Sequence, residues 1–211
     1  MMTGFKRART DEQVAMREKE IVSACSSLYS EGGLDAVNLK AIAERTSLSR
    51  PTIYNYYDTK EEILLDLIKT DFDEWDAELR SGFDGHGSMS KEEFCRFLTD
   101  SLSGHLRMLE FFSRHLYTIE MNSRLEKVVG LKIAIGRSIH TLDEVLERSF
   151  GYDDDERALL ISLIFTFMHG LYPMTHPTEM QKEAASLAGH CITGDFEDVC
   201  FNGLMRLMRS P

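Results

Sequence analysis

Four stretches of this 211-residue chain read as helix starts because a hydroxyl side chain stands three positions before Glu or Gln at the head of a helically spaced apolar run. The four are Thr10-Asp-Glu-Gln13, Thr59-Lys-Glu-Glu62, Ser90-Lys-Glu-Glu93 and Ser123-Arg-Leu-Glu126. In such a capping box the hydroxyl accepts from a backbone N–H that the first helical turn leaves unpaired, and the Glu or Gln reaches back to do the same. Almost no stretch alternates at period two, so the chain is predicted to be all-α.

The first box opens a helix with Val14, Ile21, Cys25 and Leu28 on one face, and Gly32-Gly33 supplies the positive φ that ends it. Leu39, Ile42 and Ala43 mark a short second helix, Thr46-Ser47-Leu48 a turn, and Ser49 the cap of a third helix to about Tyr57. Pro51 suits that third helix's first turn, where its missing N–H costs no bond. The second box starts a long helix with Ile63, Leu67, Phe72, Trp75 and Leu79 inward. Ser81–Ser90, carrying Gly82, Gly85 and Gly87, reads as flexible, and further helices are expected at about 91–106, 108–120, 124–149, 154–173, 178–189 and 196–208. No internal repeat or low-complexity segment is present.

Hydrophobic residues at 43% suffice for a real core, and only four prolines argue against disorder. The longest apolar stretch, Ala158 to Met174, is interrupted by Ser162, Thr166 and His169 and reads as a buried helix rather than a membrane span. Nothing at the N-terminus resembles a signal peptide, so a cytoplasmic location is expected. Cys25, Cys95, Cys191 and Cys200 are widely spaced among apolar positions and read as buried thiols, with neither a disulfide framework nor a zinc site.

The net charge of −11 looks wrong for a nucleic-acid binder until it is divided. Residues 1–70 carry ten Lys or Arg against eleven Asp or Glu, a net −1, so nearly all the acidic excess lies downstream. A near-neutral segment can still present one basic face, and phosphate contact depends on local charge.

The segment Val37 to Lys60, VNLKAIAERTSLSRPTIYNYYDTK, holds two short helices that bury Leu39, Ile42, Ala43, Leu48 and Ile53 between them. Arg50, Thr52, Tyr54, Asn55 and Tyr56 are left to project from the second of the pair, a set of groups able to bond base edges and phosphates in a major groove. From Asn38 through Ala43, then Thr52-Ile-Tyr-Asn-Tyr-Tyr57 and Thr59-Lys60, the chain resembles the TetR family of regulators, in detail over residues 12–68. The resemblance implies a helix-turn-helix DNA-binding domain at 1–58, with an N-terminal arm at 1–9, and a helical effector-binding and dimerisation domain at 59–211. It implies that Asn38, Lys40 and Lys60 touch phosphate, that Arg50 and Asn55 contact bases, and that Thr52, Tyr54 and Tyr56 divide between the two, with Tyr57 in the core. Two departures stand out: Ser47 where the turn commonly has glycine, which predicts mild strain or a different turn, and Pro51 where a small residue is usual. Lys6, Arg7 and Arg9 in the arm are either a solvated tail or a minor-groove contact.

A single head of this size binds DNA weakly, so two heads on one operator are expected. The resemblance implies a homodimer built from the helices at 154–173 and 196–208, through Leu160, Leu163, Phe167, Gly170, Leu171, Val199, Gly203, Leu204 and Leu207. It also implies an effector cavity among the central helices, lined by Phe111, Phe112, His115, Arg137, His140, Phe165 and His169. For each of these positions the reading as ordinary core is the stronger one, and the three histidines form no local ligand pair, so no metal or cofactor is expected. Operator DNA, a second copy and an unidentified small molecule are the expected partners. A C-terminal part serving instead as a docking surface for another protein is the alternative. The nucleophile, phosphate-loop and dinucleotide motifs of common enzymes are missing, and Asp153-Asp154-Asp155-Glu156 is better read as complementing a helix dipole than as a metal site. No enzymatic activity is expected.

Overall fold

The computed structural model describes residues 10–85, 87–190 and 194–208; the arm residues Lys6, Arg7 and Arg9, and Cys191, lie outside them. Among the described residues the chain is helical, without a strand. In order the helices are α1 (Asp11–Ala36), α2 (Leu39–Glu44), α3 (Arg50–Ile53), α4 (Lys60–Asp84), α5 (Lys91–Gly104), α6 (Leu106–Glu110), a π turn (Phe111–His115), α7 (Leu116–Met121), α8 (Leu125–Phe150), α9 (Asp154–Thr175), α10 (Glu179–Leu187) and α11 (Phe196–Leu207).

The helix starts follow the caps. Thr10 accepts from the Gln13 N–H, Ser90 and Glu93 form the full reciprocal box, and Thr178 with Gln181 and Asp153 with Glu156 form two more. The fourth expected box does not form: the Ser123 hydroxyl turns back to donate to the Ile119 carbonyl at 2.8 Å, and α8 begins at Leu125. Gly33, at φ 64°, breaks the regular helix within α1. The flexible segment expected from Ser81 is shorter than its glycines suggest, because α4 continues to Asp84. The reason is packing: Phe83 is buried against Phe94 and Phe97, and a Cβ on Gly82 would come within 2.2 Å of the Phe97 ring.

The chain packs as two units. The first takes the chain up to Leu67 together with Ile119–Val128; the second comprises Ile68–Thr118 and the chain from Val129 onward. The sequence reading drew a single boundary at residue 58. The first unit is centred on Ile21, Cys25, Ile42, Ile53, Tyr57 and Ile63, all fully buried. In the second, α11 packs on α5 and α9 around Phe72, Trp75, Phe94, Leu98, Phe111, Ile164, Met168 and Leu204. Each such side chain withdrawn from water contributes about 1.5–3 kcal/mol.

Candidate nucleic-acid interface

Within the first unit, α2 and α3 are held at a fixed angle by the turn between them. Asn38 caps α2, its side-chain oxygen accepting from the Ala41 N–H at 3.0 Å. Ser49 caps α3, accepting from the Thr52 N–H and lying 2.8 Å from the Thr52 hydroxyl. The turn is pinned from α1: the Ser47 N–H donates to Glu20 at 2.5 Å, and Arg17 donates to both the Ser47 hydroxyl and Glu20. The Ser47 amide, the largest influence, holds the Glu20 carboxyl below its ordinary range. Arg45 makes a two-point pair with Glu31, both bonds 2.5 Å. Ser47 therefore needs no left-handed backbone, and among the described residues no residue other than glycine has positive φ. Of the two outcomes expected there, strain or a different turn, left-handed strain is absent.

Outward from this frame stand Arg50, Tyr54 and Asn55. Arg50 reaches the Tyr54 hydroxyl at 3.3 Å, while the Asn55 amide donates to the Thr52 carbonyl at 3.1 Å. Thr52 is half-buried. Tyr56 is a correction: at 8% exposed, against 45% for Tyr54, it joins the core instead of the outer face. Both tyrosines lie in the turn that follows α3, which exposes the first and buries the second.

Asn38, Leu39, Lys40, Arg50, Thr59, Lys60 and Glu61 line one open concavity of about 310 Å³. Four of the eight residues expected to meet DNA are thus brought together, joined by Leu39, Thr59 and Glu61, none of which the sequence reading assigned to DNA contact. Lys40 is the second residue of α2, Arg50 the first of α3 and Lys60 the first of α4. Helix N-termini carry partial positive charge and favour anions, so a cation there costs about 0.3–1 kcal/mol unless an anion offsets it. Converging N-terminal ends lined with cations make a surface suited to phosphate.

The residues expected around an effector divide differently. Phe112 stands in ring contact with Phe72 (5.7 Å), Phe165 (6.0 Å) and His169 (3.8 Å), and Phe165 also meets Trp75. Phe111 and His115 meet edge to face, and burial pushes the His115 imidazole below its ordinary value. Phe111, Phe112 and His115 all lie on the π turn, a distortion that occurs frequently at functional sites. His140 does not join them: it is exposed and pairs with Glu144 at 3.2 Å, because the buried face of α8 runs through Leu131, Ala134, Ser138, Leu142 and Val145. Arg137 is taken by Asp73.

Of the residues expected in a dimer contact, Leu160, Leu171 and Leu204 are buried within the chain's own core. Gly203 lies against Phe167 of the same chain, with space for a Cβ only 2.4 Å from the ring, and Val199 packs on Gly194. Leu163 remains exposed, and the space beside Gly170 is open. By length and composition α9 would suffice to cross a membrane, and only 28% of its most apolar 18-residue stretch is buried within the chain.

Residues 21–67 match the family described as bacterial regulatory proteins, tetR family, and residues 69–207 match the tetracyclin repressor-like C-terminal domain. The HTH-type transcriptional repressor KstR of Mycolicibacterium smegmatis is 34% identical over 61 residues, 29% of this chain and 30% of that protein's own length. Among solved structures, RolR in complex with resorcinol is 17% identical, with a TM-score of 0.63 over 94% of this chain and 90% of its own. The regulator FadR from Bacillus subtilis in complex with stearoyl-CoA is 18% identical, with a TM-score of 0.56 over 90% and 96%. At such identities these two establish a shared fold.

Proposed function

The chain belongs to the TetR family of bacterial regulatory proteins, and from that premise we propose that it is a sequence-specific repressor, released from its operator by a small molecule held in the C-terminal unit. The observation that carries this reading is the convergence of Asn38, Lys40, Arg50 and Lys60 at helix N-termini. Placement of cations where the dipoles disfavour them makes physical sense when DNA phosphate is the partner. Arg50 and Asn55 are the base-reading side chains, Tyr54 and Thr52 accompany them, and Tyr56 is left out of the contact set.

The protein acts as a homodimer in the cytoplasm, where its DNA is. Exposed Leu159 and Leu163 on α9, the open space at Gly170 and the edge of α11 at Leu207 form the face that a second copy covers. Two heads then meet half-sites about 34–36 Å apart. The resorcinol and stearoyl-CoA bound by RolR and FadR support small-molecule control as a class. Their chemical difference leaves the ligand of this chain open. The ring cluster of Phe112, Phe165 and His169 beside the π turn is the proposed sensing region. A ligand there weakens operator binding only by its differential affinity for the two conformations.

The test begins with the full chain selecting duplexes from a randomised library. The Arg50→Ala, Asn55→Ala double variant is expected to lose its preference for the selected duplex over a scrambled one by about a hundredfold, since a good bidentate base contact is worth about 1–3 kcal/mol. Equal footprints and affinities for variant and parent would remove those residues from the reading role.

A further inference from the structure

Segment Ile119–Val128 lies more than fifty residues beyond the helix-turn-helix in sequence, yet it packs with that unit. Two basic side chains fasten it there. Arg124 grips Glu62, whose side chain is buried: its Nε donates to Oε1 at 2.6 Å, its Nη2 to Oε2 at 2.8 Å, and its own backbone N–H to Oε1 at 3.1 Å. Glu62 Oε2 also accepts from the Asp58 N–H at 2.9 Å. Arg124 Nη2 reaches further, to the Tyr56 carbonyl at 3.2 Å, and Asp58 lies 3.2 Å from its Nε. Lys127 binds Asp66 at 2.7 Å and Glu18 at 3.2 Å, with its ammonium over the Tyr57 ring, while the Tyr57 hydroxyl donates to the same Asp66 oxygen. Thr59 adds a bond to the Asn122 carbonyl.

The Tyr56 carbonyl closes the turn that follows α3, and Glu62 lies in the first turn of α4. One guanidinium therefore ties the end of the reading helix to the start of the helix that carries Lys60. We propose that Arg124 is a positioning residue for operator binding, setting the angle between the base-reading face of α3 and the phosphate-facing end of α4 without touching DNA. This rests on the repressor reading above. Only the planar fork of arginine can bond both Glu62 oxygens and the Tyr56 carbonyl at once; a lysine keeps the charge and loses the geometry.

The experiment measures full-length Arg124→Ala and Arg124→Lys on the duplex selected by the parent chain and on a scrambled duplex, across a salt series. Both variants are expected to bind the selected duplex about tenfold or more weakly, as loss of charged hydrogen bonds implies. Binding to the scrambled duplex and the slope of affinity with salt should both be unchanged. A slope smaller by about one in Arg124→Ala, restored in Arg124→Lys, would make Arg124 a phosphate contact and overturn the proposal. Parental affinity in both variants would overturn it as well, and so would joint loss of specific and scrambled binding, which would reduce the clip to a requirement for folding. If the parent chain selects no duplex at all, the failure belongs to the repressor reading.

Discussion

The Cys95 and Cys200 thiols are both withdrawn from solvent, and burial, the largest influence on each, pushes them up to about 12 and about 11. Cys95 lies 3.5 Å from the Met208 sulfur, and its carbonyl accepts from the Thr99 hydroxyl at 2.8 Å. Because the thiolate is the reactive form, both should resist alkylation in the native protein. At pH 8, iodoacetamide labelling mapped by peptide mass is expected to modify them at least about a hundredfold more slowly than in denaturant. Native labelling at the denatured rate would mean that α5 and α11 open readily. Glu62 shows burial losing instead. Desolvation pushes its carboxyl up, but the Arg124 bonds and the Asp58 and Arg124 amides outweigh it and hold the group below the ordinary range. A depressed carboxylate stabilises the fold above its unfolded value, and that contribution is lost as pH falls through the folded one.

At the scale of elements, close approach between α9 and α11 depends on Gly203. A Cβ there would sit 2.4 Å from the Phe167 ring, so Gly203→Ala should force the ring aside and lower stability by about 1–3 kcal/mol, read as a fall in Tm. An unchanged Tm would show that Phe167 rotates away freely. This glycine also marks the limit of what spacing reveals. Helix periodicity placed Ile63, Leu67, Phe72, Trp75 and Leu79 inside, and each is buried; caps located most helix starts. Which apolar positions meet the chain's own core and which are left outside is set by neighbours distant in sequence. Leu160 and Leu163, one turn apart on α9, look alike in sequence, yet α11 and α6 pack on one side of that helix only. The π turn had no signal at all, since Phe111, Phe112 and Leu116 read in the sequence as part of one ordinary helix at 108–120. On the head, the grouping of Asn38, Lys40, Arg50 and Lys60 around one concavity was legible because local caps and turns place them. The burial of Tyr56 was not, nor was the hold of Arg124 on its carbonyl, since that partner stands 68 residues away.

For the molecule as a whole, the half-covered α9 makes assembly measurable. Leu163→Glu alters an exposed position, 40% open in the single chain, so the fold should survive while association weakens. If the proposed dimer forms through this face, sedimentation is expected to show association in the parent and monomer in the variant at the same concentration, with operator affinity falling alongside. A dimer of parental strength would move the interface elsewhere. The two packed units exchange chain at three points, between 67 and 68, 118 and 119, and 128 and 129, each inside a helix. This connectivity bears on modularity. A chimera cut at residue 67 would graft a new reading head onto this C-terminal unit while leaving Arg124 and Lys127 facing whatever residues the donor carries at 18, 58, 62 and 66. Recombination of this chain's reading head therefore calls for a discontinuous cassette: the chain up to residue 67 and the ten-residue patch 119–128.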